Sequence, residues 1–269
     1  MSPNVIRITA AIPIRRMFLV MRRMIWGLLL ALFAAVPNAH ALRIEDTTVV
    51  IPIIGRFNGV PPSIWRTDLF IGNPYTQVAT VTVKFYVAGG ATQQRTFTIQ
   101  PFGSLTLPDV VLNTFGLTTA AGELEITSPT SVEARARIFN AGSSVGEFGQ
   151  AVPGIGKAQL RIESYVYGVS GLSGSRCNAG VANPNDTPIS LQLEIRSGSG
   201  STLYIQSGIT LGAHQYLQYN DIFSTFGITP QDNVSVLFST AENPIYGFAS
   251  IVRNDSGDPI FLFGTGPNV

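Results

Sequence analysis

Val81, Val83 and Phe85 alternate with Thr82, Lys84 and Tyr86, and Leu191, Leu193 and Ile195 alternate with Gln192, Glu194 and Arg196. One face is apolar and the other polar, the period-two pattern of a strand covered on one side. The alternation returns in Leu124 and Ile126, in Val132, Ala134, Ala136 and Ile138, and in Val234, Val236 and Phe238. Ala88-Gly89-Gly90, Ser128-Pro129-Thr130, Ser197-Gly198-Ser199-Gly200 and Glu242-Asn243-Pro244 punctuate these runs as turns. The pattern predicts strands over 47–54, 66–72, 78–87, 93–99, 104–107, 122–127 and 132–139, with a last one near 146–152. A second series follows over 159–167, 176–182, 188–196, 202–209, 215–219, 233–239, 245–252 and 259–263. Glu123 and Glu125, alternating with Leu124 and Ile126, read as the solvated side of their strand.

The two series are related. Residues 66–90 realign on residues 176–200 at a constant offset of 110, with Arg66 on Arg176, Asn73-Pro74 on Asn183-Pro184 and Gly90 on Gly200. A period of that size is a small domain, not a solenoid unit. Each series also holds one helical turn, over 110–115 and 222–226, preceded by Asp109 or Asp221 as N-cap and followed by Gly116 or Gly227. The expected fold is therefore all-β: two tandem immunoglobulin-like β-sandwich modules, 42–153 and 157–269, after a signal peptide. The junction from Ala151 to Lys157 is short and carries Pro153 and Gly154, so the modules are expected end to end with a modest interface.

Residues 1–41 form that signal peptide: a basic Met21-Arg22-Arg23-Met24, an apolar run from Ile25 to Val36, and a small-x-small end at Ala39-His40-Ala41. Residues 1–20 read as an N-terminal extension, with Met1, Met17 or Met21 as the start. The apolar run is short of the about 20 residues a membrane span needs, so no stable span remains after cleavage. Five of the 17 basic residues and none of the 16 acidic ones precede Leu42, which leaves the mature chain at −4 against +1 for the precursor. Lys84 and Lys157 are its only lysines. A charge-poor, mildly acidic chain lacks the cationic clusters that nucleic-acid binding needs. Cys177, the single cysteine, has no intramolecular partner and reads as a small buried hydrophobe at the position of Thr67.

Catalytic motifs are missing. His214 is the only histidine beyond Ala41, and no Gly-x-Ser-x-Gly or His-Glu-x-x-His occurs. One His and one Cys cannot by themselves make a zinc site. No catalytic residue and no cofactor is expected, and a hydrolase would have to depend on His214. Asn254-Asp255-Ser256-Gly257-Asp258-Pro259 offers Asn254, Asp255 and Asp258 as oxygen donors for calcium, although it reads more readily as an Asx-rich turn between two strands. Asn-Pro at a strand end fixes a turn, which gives Asn73 and Asn183 a structural role. Tyr165, Tyr167, Tyr204, Tyr216 and Tyr219 crowd the second module, and Trp65 heads the first repeat. Tyr204, Tyr216, Tyr219 and Trp65 are the candidate ligand-binding residues, because exposed aromatics stack on sugars or anchor proteins.

Trp65-Arg66-Thr67-Asp68-Leu69-Phe70-Ile71-Gly72-Asn73-Pro74 opens the first repeat, and Ala249-Ser250-Ile251-Val252-Arg253-Asn254-Asp255-Ser256-Gly257-Asp258-Pro259 closes the second. These segments resemble the opening and closing segments of tandem β-rich, immunoglobulin-like repeat modules in secreted or surface bacterial proteins, large uncharacterised ones among them. The resemblance covers most of 45–264 and implies a scaffold without established chemistry. The first module departs from it over 137–150, and Cys177-Asn178 replaces Thr67-Asp68 in the second, which puts a shared role for Asp68 in doubt. Together these readings predict a secreted non-enzymatic binding or structural protein, in the periplasm, outside the cell or at its surface. Its partner would be an extracellular protein or glycan. The alternatives are a carbohydrate-binding protein using the second module's aromatics and a small hydrolase dependent on His214.

Overall fold

The computed structural model describes residues 45–59, 61, 63–142, 146–171 and 174–267. The expected signal peptide lies outside the described residues. The fold is nearly all β, and among the described residues every ladder is antiparallel. In the first half the chain runs β1 (Glu45–Asn58), β2 (Ile64–Gly72), β3 (Ala79–Val87), β4 (Gln93–Ile99), β5 (Ser104–Leu107), α1 (Val110–Asn113), β6 (Ala120–Asn140) and β7 (Phe148–Pro153). A two-residue strand, β8 (Ile155–Gly156), and a 3-10 turn (Lys157–Gln159) lead to the second half. There follow β9 (Glu163–Val169), β10 (Ser175–Ala182), β11 (Ile189–Arg196), β12 (Thr202–Leu211), β13 (Tyr216–Tyr219), α2 (Ile222–Thr225), β14 (Val234–Ser239), β15 (Tyr246–Arg253) and β16 (Pro259–Phe263).

The second half is two four-stranded sheets, β12-β11-β14-β9 and β13-β10-β15-β16. The first half is a single sheet in order β4-β3-β6-β1-β2-β5, with β7 on β6. The difference lies in β6. Its stretch 122–127 pairs with β3 and β1, and its stretch 133–140 pairs with β2 and β7. One 21-residue strand thus does what β14 and β15 do separately. The turn expected at Ser128-Pro129-Thr130 does not form. Pro129 has no N–H to donate, and it sits, exposed, where the strand changes partners. The neighbouring Thr130 N–H donates to Ser128 Oγ instead.

Each half closes over its own apolar core. Val81, Val83, Phe85, Leu124, Ile126, Leu69 and Ile71 meet in the first, and Val181, Leu191, Leu193, Val236 and Phe238 in the second. Each such side chain contributes about 1.5–3 kcal/mol on burial. Cys177 is fully buried in the second core, which confirms its reading as a small hydrophobe.

The two helical turns form, but not as Asp-capped helices. Asp109 and Asp221 both hold left-handed backbone, φ 38° and 45°, and neither side chain caps its helix. Their N–H groups are fixed by side chains of β2 and β10 instead. Asp109 N–H donates to Asp68 Oδ1 (2.9 Å) and Asp221 N–H to Asn178 Oδ1 (3.0 Å). The change from Asp68 to Asn178 therefore keeps the acceptor oxygen and the role. The Asp109 carboxylate is left to bind Arg56 at 2.9 Å and Arg66 at 3.6 Å. Arg176, the counterpart of Arg66, bonds Asn254 instead (2.8 Å).

Asn73 and Asn183 are structural in both halves. Each is essentially buried, and its amide donates to three carbonyls: Gln77, Ile99 and Gln100 in one case, Thr187, Leu211 and Gly212 in the other. Each Oδ1 accepts the N–H two residues on. The side chain ties a strand end to the loop that follows the next hairpin.

The halves meet over more than a linker. β8 pairs with β1, setting Val49 opposite Gly156 and Val50 opposite Ile155. Val50, Ile155, Leu160, Ala182 and Tyr246 form a third apolar cluster drawn from both halves. Tyr246 Oη donates to Pro153 O at 2.8 Å, and Ser250 Oγ donates to Gln150 Oε1 at 2.8 Å. Among the described residues, no helix is long and apolar enough to cross a membrane.

Candidate functional site

The β3–β6 ladder sets Tyr86 opposite Glu123 and Lys84 opposite Glu125. These side chains share the polar face expected to meet solvent, and the structure overturns that expectation. Glu123 is 0% and Glu125 6% exposed. The loop before β13 and the turn after β8 bring His214 and Lys157 from the second half onto them. His214 Nδ1 lies 3.3 Å from Glu123 Oε1, and its Nε2 2.9 Å from Asp186 Oδ1. Its ring stacks flat on Tyr86, centroids 3.6 Å apart and 1° between planes. Glu125 takes the chain's only two lysines, Lys84 at 3.5 Å and Lys157 at 3.2 Å, and accepts from Tyr86 Oη at 3.4 Å. His214 holds a left-handed φ of 52°, uncommon outside glycine, to reach this position.

Burial pushes the Glu123 carboxyl up to about 7, with His214 pulling it part of the way back. Its Oε2 is buried and makes no hydrogen bond. Burial alone would lower the His214 pKa, but Glu123 and Asp186 outweigh it and raise the value above that of a free imidazole. Burial and the nearby carboxylates raise the Tyr86 phenol as well. A Ser–His–acid arrangement needs one ring nitrogen on a carboxylate and the other on a hydroxyl. Here both face carboxylates, so the geometry is that of a bolt between halves.

Of the four residues expected from sequence to bind ligands, Tyr204 and Tyr219 come together and Trp65 and Tyr216 lie elsewhere. Trp65 is 9% exposed and belongs to the first core. Tyr204 and Tyr219 both pack on Phe226, at 4.2 Å and 4.9 Å between centroids, beside the second core. Tyr216 lies apart, against the first core and the junction cluster. At the loop proposed for calcium, Asn254 Oδ1 accepts from Arg176, and the Asp255 carboxylate takes Arg253 at 3.0 Å and 3.3 Å. Asp258 N–H donates to Ser256 Oγ. Two of the three expected donors already carry a guanidinium. Among the described residues no group of three His, Cys, Asp or Glu could hold a metal ion.

A second feature was not visible in the sequence. A cleft of about 640 Å³ opens between the outer face of β2, β5 and β6 and the strand β16. The β2 ladders set Phe70 between Thr106 and Arg135, and Gly72 between Ser104 and Glu133. Phe261 and Phe263 of β16 form the opposite wall, and Ala151, Pro153 and Gly154 one end. Alternation along β2 and β6 already puts Phe70, Gly72, Glu133 and Arg135 on outward-facing positions. Their partner wall comes from more than a hundred residues away, where no local pattern reaches.

No family model and no curated protein matches this chain. Solved structures with some likeness include a β-glucuronidase of Parabacteroides merdae with glycerol in its active site. It is 9% identical, with 85% of this chain and 30% of that chain covered, at a TM-score of 0.19. A calcium-binding mutant of β-glucuronidase 2 from Bacteroides uniformis is 7% identical, with coverages of 77% and 27% and a TM-score of 0.16. The chain spans less than a third of either structure's length.

Proposed function

We propose that this is an exported, non-enzymatic protein of two immunoglobulin-like β-sandwich modules, serving as a binding or spacing element in the periplasm, at the cell surface or beyond it. One observation carries the reading. The groups best suited to chemistry are spent on holding the halves together: His214, both lysines and two buried glutamates. A rigid junction suits a spacer or a presenting scaffold, because a fixed geometry lowers the entropic cost of engaging a partner. The matching strand order in the two halves and the Asn73 and Asn183 anchors support a duplicated module. The leader-like residues 1–41 support export.

A panel of ester, amide and glycoside substrates tests the reading, with wild type beside His214→Ala. No turnover by either protein is expected. Hydrolysis by the wild type that disappears in His214→Ala would overturn it in favour of the His214-dependent hydrolase. Cell fractionation tests export, and retention of the full-length precursor in the cytoplasm would sink that part.

A further inference from the structure

We propose that the cleft between the halves is a saccharide site, and that it takes a short stretch of a neutral oligosaccharide. This deepens the binding reading above and rests on it. The cleft is built from two surfaces of different chemistry. Phe70 on the floor and Phe263, 37% exposed on the opposite wall, offer apolar ring surface. Phe261 backs the wall and is held by its stack on Phe248, centroids 5.8 Å apart. Aromatic faces of this kind pack against the C–H faces of sugar rings.

Beside them stand polar groups that the fold leaves unused. Arg135 lies over Phe70, its Cζ 5.8 Å from the ring centroid. Neither Arg135 nor Glu133 makes an ion pair or side-chain hydrogen bond among the described residues. Arg137, one step along the same face, is by contrast drawn to Asp68 at 3.9 Å and to Glu147 at 3.0 Å. Ser104 and Thr106 add two exposed hydroxyls on that face. A guanidinium donor, a carboxylate acceptor and two hydroxyls meet the mixed donor and acceptor pattern of neighbouring sugar hydroxyls. The opposite charges of Glu133 and Arg135 cancel, which selects against a strongly charged ligand. They equally disfavour a purely apolar one, since closing over them without partners is costly.

Space is available where the ligand would sit. A Cβ built on Gly72 meets nothing within 4 Å, so the floor is open at its centre. The cleft volume of about 640 Å³ lies inside the range of small-ligand sites, about 300–1,000 Å³.

The test is calorimetric titration of the purified protein with neutral gluco-, xylo-, manno- and galacto-oligosaccharides of four to six sugars, alongside a polyuronide of the same length. At least one neutral oligosaccharide is expected to bind. Gly72→Leu, which fills open space without disturbing the core, and Phe263→Ala should each weaken it by about tenfold or more. Tyr204→Ala should leave it unchanged, and Gly72→Leu should melt with the wild type. Binding that survives both cleft variants but falls in Tyr204→Ala overturns the cleft and leaves carbohydrate recognition standing. A polyuronide bound more tightly than every neutral sugar overturns the neutral class. If no saccharide binds, the proposal fails while the spacer reading is untouched.

Discussion

His214 lies flat on Tyr86 across the junction of the two halves, ring centroids 3.6 Å apart, with a carboxylate at each of its nitrogens. The stack fixes the plane of the imidazole, and the carboxylates of Glu123 and Asp186 fix its rotation. Removing the ring would leave Glu123 fully buried with neither oxygen bonded. His214→Ala is therefore expected to cost about 3–5 kcal/mol, the range for breaking a buried charged pair. Glu123→Gln, which keeps the shape and removes the charge, should cost less. Urea unfolding of the two variants checks the order.

The same pair makes stability depend on pH. Both folded pKa values are raised, that of Glu123 to about 7 by burial and that of His214 by its two carboxylates. Between the Glu123 reference value of 4.5 and about 7, the folded state holds a proton that the unfolded state has released. A raised group contributes stability that is present at low pH and lost as pH rises through its folded value. His214 acts with the same sign above its reference value of 6.5. Stability should thus fall from about pH 4.5 through neutrality, and Glu123→Gln should flatten the acid side of that slope. Thermal melts at half-unit steps of pH measure it, and an unchanged slope in Glu123→Gln would contradict the assignment.

Asn73→Ala and Asn183→Ala should each be severe. Either change strips three buried or part-buried carbonyls of a donor and one backbone N–H of its acceptor. Unsatisfied buried groups cost about 1–3 kcal/mol each, so a total loss of about 3 kcal/mol or more is expected. Asn→Asp at either position should rescue little, because a carboxylate cannot donate to carbonyls. Chemical denaturation of the four variants checks both statements.

Tyr246→Phe isolates one bond of the junction. The hydroxyl donates to Pro153 O at 2.8 Å while the ring stays fully packed in the third cluster. Loss of the bond should cost about 1 kcal/mol, with no change in denaturant sensitivity. A larger loss with a lowered slope would mean that the halves had begun to unfold separately.

Cys177 should be silent to thiol reagents. Burial raises its pKa to about 12, so almost no thiolate exists at neutral pH, and the side chain has no exposed surface. Ellman's reagent should react with the protein only after unfolding. Rapid reaction of the native protein would mean that the second core opens readily.

The strands were legible because each one carries its own evidence. Val81, Val83 and Phe85 declare a covered face within five residues, and Ala88-Gly89-Gly90 declares the turn after it. The paired Asn-Pro dipeptides could be recognised as anchors because their spacing repeats. Glu123 and Glu125 misled for the same local reason, since alternation shows that two faces differ but not whether the polar one meets water. The sign pointing to them was compositional: a chain with two lysines and one histidine beyond Ala41 brings all three to one patch.

By itself, then, the sequence determined the all-β class, the places of nearly all strands, and the repeated turns, because these depend on residues close in the chain or repeat along it. Tertiary structure alone decided that β6 runs unbroken past Pro129, since a strand changes partners where a second layer waits to pair with it. It decided the burial of Glu123, whose cover arrives from a residue 91 positions away. It also decided the cleft, where Gly72 and Arg135 of one half come to face Phe263 of the other. Contacts at such separations leave no periodic trace along the chain, because each of their two surfaces is locally only an ordinary exposed strand face.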